Sequence, residues 1–337
     1  MRAFDHAPAL SFDDSESYTM APITVGPGRT VSFSMREPDL MLFASQRKGQ
    51  YMKLYKSDDL GKTGRVVWDR KGDNFIQDIK EDPLVPGRFW AYMEGNIIAK
   101  TEDETSAGIY MSNDYGENWE KVCNPCWGNI ATLPAEEFQI DKDLTPIVNH
   151  QRKNGCGTGQ MIALDPFKKD VIYVGEWTEG VFRSDNAGKS WVKISNKLPF
   201  DKKRNSVLSL VYADPYRSGV IYAGFWNGGL WKSENYGLSW SKIKPFGKKK
   251  YNASSMSISR DENGRSLMVL ACSNLPLGDT PVQLLISTDE GNEWTDIYDS
   301  SLGCLRWISV VADAKKQRIH TATAGSGIFY FDIIDNQ

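Results

Sequence analysis

Ser184-Asp185-Asn186-Ala187-Gly188-Lys189-Ser190-Trp191 is the stretch that decides the fold, because the chain repeats it. The pattern Ser-x-Asp/Asn-x-Gly-x-(polar)-Trp returns at Ser112 to Trp119, at Ser233 to Trp240 and at Ser287 to Trp294. A fifth copy, Ser57-Asp58-Asp59-Leu60-Gly61-Lys62-Thr63, lacks the tryptophan at its place; Trp68 follows after an insertion. Each residue type has a job in a tight hairpin. Glycine supplies a positive φ without steric penalty. Serine and Asp or Asn hydrogen-bond the local backbone. Tryptophan opens the next strand and packs its ring under the turn.

The flanks repeat as well. Val171-Ile172-Tyr173-Val174-Gly175 followed by Gly180-Val181-Phe182-Arg183 parallels Val220-Ile221-Tyr222-Ala223-Gly224 followed by Gly229-Leu230-Trp231-Lys232. Upstream of each stands an Asp-Pro pair, Asp165-Pro166 and Asp214-Pro215. One unit therefore reads as strand, Asp-Pro turn, strand, Gly-containing loop, strand, repeated turn, strand. Four short strands per repeat of about 50 residues indicate the blade of a β-propeller. Six units start near Thr30, Phe75, Gln160, Ser206, Ser254 and Leu305. The expectation is an all-β, six-bladed propeller forming a single domain over 1–337, with a long inter-blade insertion at 123–157. The sixth unit ends at Ile333 with three strands, and the segment from Ala9 to Phe12 is the expected donor of its fourth, closing the ring by an N-terminal strand.

Composition bounds the function classes. The chain has 337 residues, 12% of them aromatic with 11 tryptophans, and a formal net charge of -3. A nucleic-acid binder is usually basic, so that class is disfavoured. No apolar run approaches the roughly 18 residues that would span a bilayer. Residues Met1 to Asp14 lack the apolar core of a secretory leader, which fits either an intracellular protein or the mature part of an exported one.

The repeated turns resemble the Asp boxes, or bacterial neuraminidase repeats, of sialidases, xyloglucanases, sortilin-type receptors and a photosystem assembly factor. The resemblance spans essentially the whole chain and implies the sialidase/xyloglucanase-like propeller fold. It implies a carbohydrate-active enzyme, a glycoside hydrolase or lyase, working on an oligo- or polysaccharide without a cofactor, as a secreted or periplasmic monomer; a cytoplasmic location stays open. Two departures stand against simple transfer. The Phe/Tyr-Arg-Ile-Pro motif of sialidases is missing, with Arg29 the nearest counterpart of its arginine. The loop in which xyloglucanases carry a catalytic Asp reads Glu176-Trp177-Thr178-Glu179 and Phe225-Trp226-Asn227-Gly228, without that Asp. A non-catalytic glycan- or protein-binding propeller is therefore the alternative.

Asp-Pro turns and repeated turns share one end of a propeller, so chemistry is expected at the other, where loops join second to third strands. Candidate catalytic acids there are Glu176, Glu179 and Glu94, since glycoside hydrolysis uses two carboxylates roughly 5–9.5 Å apart. Trp177 and Trp226, with Asn227, offer stacking and polar contacts to a sugar; filling between blades is the bland alternative. Arg152-Lys153, Lys202-Lys203-Arg204 and Lys248-Lys249-Lys250 form a basic sector suited to an anionic glycan. Arg29 and Arg306 are candidate carboxylate clamps. His150, in the insertion beside Arg152, is a candidate general base for uronate elimination. Cys123, Cys126, His150 and Cys156 have the residue types of a zinc site; a disulfide across the insertion and free thiols are equally open readings, and Cys272 and Cys304 are placed to approach each other.

Overall fold

The computed structural model describes residues 9–11, 17, 19–20, 28–45, 52–70, 75–94, 108–123, 160–176, 180–195, 197–199, 207–226, 228–243, 251–273, 282–302, 307–323 and 328–333. It is a six-bladed all-β propeller. Blade one is β3 (Gly28–Phe33), β4 (Met41–Ser45), β5 (Met52–Ser57) and β6 (Arg65–Arg70). Blade two is β7 (Phe75–Glu81), β8 (Phe89–Glu94), β9 (Gly108–Ser112) and β10 (Glu120–Cys123). Blade three is β11 (Ile162–Leu164), β12 (Ile172–Glu176), β13 (Gly180–Ser184) and β14 (Val192–Lys193). Blade four is β15 (Val207–Ala213), β16 (Ile221–Trp226), β17 (Gly229–Ser233) and β18 (Ser241–Lys242). Blade five is β19 (Ala253–Arg260), β20 (Ser266–Cys272), β21 (Gln283–Ser287) and β22 (Thr295–Asp296). Blade six is β23 (Trp307–Asp313), β24 (Arg318–Thr323) and β25 (Ile328–Asp332). Every sheet is an antiparallel meander, and first strands of successive blades pack side by side from β3 to β23.

One expectation is corrected. The N-terminal strand does not complete blade six: β1 (Ala9–Leu10) pairs with β2 (Thr19–Met20) in a sheet of its own, and blade six has three strands among the described residues. Ala9 and Leu10 pair with Met20 and Thr19 instead, so their ladder bonds are used within the N-terminal segment.

All five repeated turns carry the same network. The serine hydroxyl donates to the Asp or Asn side chain at 2.7–3.0 Å. It accepts the glycine N–H at 2.7–2.9 Å. The Asp or Asn oxygen accepts the N–H four residues on at 2.8–2.9 Å. The residue before each glycine is also left-handed, as at Tyr115 (φ 58°) and Ala187 (φ 53°). A non-glycine residue in that region costs about 1–2 kcal/mol, which the side-chain bonds offset. The glycine does more than turn: a Cβ on Gly116 would lie 2.7 Å from Leu42 of blade one, and on Gly188 2.6 Å from Val122 of blade two. The turn is thus wedged against the preceding blade.

Tryptophan closes the motif. Trp119, Trp191 and Trp294 donate their ring N–H to the turn glycine's carbonyl at 2.9–3.0 Å. Trp240 donates instead to Ile194 of the preceding blade, at 2.7 Å. Trp68 stands farther along, opposite Leu54 beyond a bulge in the β5–β6 ladder, and stacks on Trp119 of blade two with centroids 5.6 Å apart.

Charged side chains also tie blades together. Glu117, next to the turn glycine of blade two, receives Lys56 at 2.7 Å and Arg65 of blade one. Arg88 joins Asp82 of its own blade to Asp170 of blade three, at 2.8 and 2.6 Å.

Ser184→Ala leaves the buried Gly188 N–H without its acceptor, and an unsatisfied buried group costs about 1–3 kcal/mol; calorimetry is expected to show a lowered Tm, with Lys189→Ala unchanged as control. The Arg65 hydrogen bond, with Lys56, holds the Glu117 carboxyl down at about 2. A depressed folded pKa stabilises above the unfolded value and fades as pH falls through the folded one. The Tm gap between wild type and Glu117→Gln is therefore expected to be full above pH 5 and to close towards pH 2 (about, given exposure).

Candidate functional site

The two ends of the propeller differ in chemistry. At one end the first-to-second strand turns meet the repeated turns through backbone bonds: Tyr115 N–H to Gly87 O at 2.8 Å, Ala187 to Asp170 at 3.0 Å, Tyr236 to Gly219 at 2.9 Å. This places both turn sets at one end, as expected. Asp82, Asp165 and Asp214 organise these turns, each accepting two successive N–H groups at 2.9–3.1 Å.

At the opposite end the second strands finish, and the described candidates Glu94, Glu176 and Trp226 stand there. Glu94 ends β8 opposite Phe75, Glu176 ends β12 opposite Gly180, and Trp226 ends β16 opposite Val207. Register counted from the turn serines aligns Ile172, Phe89 and Ile221, opposite Ser184, Ser112 and Ser233. Glu94 and Trp226 then occupy the same step, and Glu176 stands one step earlier, level with Met93 and Phe225. Side chains alternate along a strand, so Glu176 takes the side on which its neighbours bury apolar groups. It is only 8% exposed, while Met93 and Phe225 are 1% and 0%. Glu176 is thus a largely buried carboxylate. Trp226 is half-buried, and both residues are engaged with neighbours. Glu94 and Arg29 are placed by backbone only, Arg29 lying in the register shift between Gly28 and Thr30.

Glu179, His150, Trp177, Asn227, Arg306 and Arg152 lie outside the described residues, as do the three basic clusters and Cys126, Cys156 and Cys304. Cys123 is described in backbone alone, and Cys272 is a free thiol, fully buried, whose titration burial pushes well up.

A feature of this end escapes a reading by hydrophobic pattern. First strands carry an extra residue where they meet the ends of second strands: Arg29, Gln77, Ser209, Ser254 and Ile308 each fall in a register shift, and all but Ile308 are polar. Gln160 holds the same offset in blade three. Such bulges re-aim side chains and cluster beside sites. Here they put polar groups into a buried ring: Ser209 donates to Ala253 O, Ser254 to Ala271 O at 2.8 Å, and Gln160 exchanges two bonds with the Met256 backbone at 3.0 and 3.1 Å. The Thr30 hydroxyl, beside Arg29, is buried without a partner in the described structure. A sequence signal for the ring exists in retrospect: Gln77, Gln160 and Ser209 each stand five residues before the turn aspartates Asp82, Asp165 and Asp214.

No family model matches the chain. Its sequence is 25% identical over 188 residues to a xyloglucanase of Paenibacillus sp., an alignment covering 54% of this chain and 16% of that protein. Its fold superposes on the GH74 xyloglucanase of Xanthomonas campestris with a TM-score of 0.68 and 16% identity, over 99% of this chain and 50% of that one. A GH74 enzyme of Niastella koreensis gives 0.59 and 15%, over 100% and 44%. The chain thus spans a sixth of the curated relative and about half of the solved ones. At these identities the structural likeness is one of fold. The chain is a six-bladed β-propeller that resembles the GH74 xyloglucanases.

Proposed function

We propose that this propeller belongs to a glycoside hydrolase and that it handles its polysaccharide at the end where the second strands finish. The observation that carries this reading is the 188-residue match to a xyloglucanase, which makes a xyloglucan-type glucan the first substrate to try. The Asp-box character of the repeated turns and an exported location belong to the same reading.

Glu176 is the acid around which the chemistry is arranged. Its place at the end of β12, one blade from Glu94, suits a general acid that protonates a leaving glycosidic oxygen. The partner carboxylate comes from Glu94, one blade away, or Glu179 in the adjoining loop. Trp226, with Trp177, supplies the aromatic surface on which sugar faces stack. The buried polar ring of first-strand bulges forms the floor and fixes these positions. The arginines Arg29, Arg152 and Arg306, the lysine clusters and His150 favour an acidic glycan as the second substrate class, and that preference would appear as cleavage of uronate-containing chains.

A second reading, a propeller that binds glycan or protein without turnover, is favoured by the missing catalytic Asp in the loop that resembles that of xyloglucanases.

Reducing-end release on xyloglucan, with a uronate-glycan panel followed also by absorbance of unsaturated products, tests both. Wild type is expected to release reducing ends, and Glu176→Gln to lower kcat by about 10²–10⁴-fold with substrate affinity retained. Unchanged turnover in Glu176→Gln would remove the acid assignment. Binding without any product in wild type would leave the second reading.

A further inference from the structure

Blade five departs from blades one to four at the turn end. In those four the residue before the repeated-turn glycine gives its N–H to a first-to-second strand turn: Leu60 to Asp39, Tyr115 to Gly87, Ala187 to Asp170 and Tyr236 to Gly219, at 2.8–3.0 Å. Glu290 holds that place in blade five, with a left-handed φ of 63°. Its N–H meets no such carbonyl among the described residues. The cause lies in the hairpin. The β19–β20 ladder runs past the level of the turn serine Ser287, from Met268 to Ser266. The β7–β8 ladder stops at that level, at Phe89 opposite Ser112. The blade-five turn then closes from Asp261 to Arg265, whereas others close from Asp82 to Arg88, Asp165 to Val171 and Asp214 to Val220. A shorter turn on a longer hairpin stands clear of the repeated turn.

The space left is a cavity of about 390 Å³. It is lined by Gly264, Arg265 and Ser266 of the hairpin, Thr288 and Glu290 of the repeated turn, and Gln317 of blade six. Hydrogen-bonding groups are unspent there. Ser266 is only 8% exposed, and its hydroxyl has no partner among the described residues, although a buried hydroxyl is ordinarily paired. Arg265 spends its Nε on Asp261 at 2.7 Å and keeps both terminal amino groups. Gln317 spends its Nε2 on Ala314 O at 2.6 Å and keeps Oε1 as an acceptor. The Glu290 N–H and the Thr288 hydroxyl add two more groups.

The charges, by contrast, are answered. Asp261 takes Arg265 and also the N–H groups of Asn263 and Arg265, at 2.9 and 2.8 Å. Glu290 gives one carboxylate oxygen to Arg217 at 3.0 Å and the other to Arg260 at 2.6 Å. An anion in the cavity would compete with Asp261 for Arg265 and lie beside Glu290. A hydrocarbon would bury donors without acceptors, which is costly. The matching occupant is neutral and carries several hydroxyls, which accept from Arg265, Ser266 and the Glu290 N–H and donate to Gln317. The volume falls in the range of small-molecule sites, about 300–1,000 Å³.

We propose that the cavity between blades five and six is a second, non-catalytic sugar site at the turn end, which holds a neutral sugar unit. That the sugar belongs to a glycan rests on the reading under Proposed function; the cavity's own chemistry calls for a neutral polyhydroxyl ligand.

The probes are cellobiose, its uronate counterpart cellobiouronate and inorganic phosphate, read from the backbone amide NMR signals of Gly264 and Glu290. Cellobiose is expected to shift them saturably in the millimolar range, cellobiouronate more weakly, and phosphate not at all. Thr288→Trp fills the cavity and spares the fold, since the same turn position holds Asp58, Asn113, Asp185 and Glu234 in the other blades. It is expected to abolish the shift at Gly264 and to leave reducing-end release from short oligosaccharides unchanged. Ser266→Ala removes one hydrogen bond to the sugar and is expected to weaken cellobiose about threefold to tenfold, with Tm not lowered. No saturable shift, tighter binding of cellobiouronate or phosphate, or binding indifferent to both variants would overturn the proposal. A saturable shift in a wild type that turns over no glycan would keep this site and remove the hydrolase reading; turnover without the shift would do the reverse.

Discussion

The innermost strand of each blade has a ladder neighbour on one side only, and the chain must satisfy the other edge from the adjoining blade. Unpaired N–H groups on a buried edge are not tolerated. Here the adjoining blade supplies the acceptors as side chains. Asp78 takes Met161 and Ile162; Tyr212 takes Ile258; Ser255, Ser257 and Ser259 take Val310, Ala312 and Ala314 at 3.0–3.2 Å. Since acceptor and donor lie on different blades, each bond that satisfies an edge also sets where the next blade stands. The position of every strand end, and so of both candidate surfaces, follows from this seam.

The seam also explains why the ends differ. At the turn end first strands run in regular register and finish in aspartate-organised turns, locked outward to the repeated turns. In blades one to four little can vary there except side chains that point to solvent. At the other end first strands bulge, at Arg29, Gln77, Ser209, Ser254 and Ile308. Glu176 is buried at that end, on the side of the sheet where Met93 and Phe225 of neighbouring blades are buried as well.

The repeated turns were legible because their chemistry is local. Ser112, Asp114, Gly116 and Trp119 interact within eight residues, so spacing along the chain is spacing in space. The six units and the shared end of the two turn sets followed from that. Closure by Ala9 to Phe12 did not, because pairing of β1 depends on a competition between a near and a far partner that no local pattern encodes. Nor did the role of the turn glycines as wedges, since Leu42 lies 74 residues from Gly116 in the chain.

For the candidate site, the sequence identified residue types and the strand ends that carry them. It could not distinguish a solvated Glu176 from a buried one, because burial depends on which side of a paired strand faces the next blade. By itself the sequence determined the repeat, the blade count and the turn chemistry, all set by contacts a few residues long. The tertiary structure alone decided the first-strand bulges and the burial of Glu176. Each of these is made where strands from different blades meet, by edges and volumes that exist only once the blades are arranged around an axis.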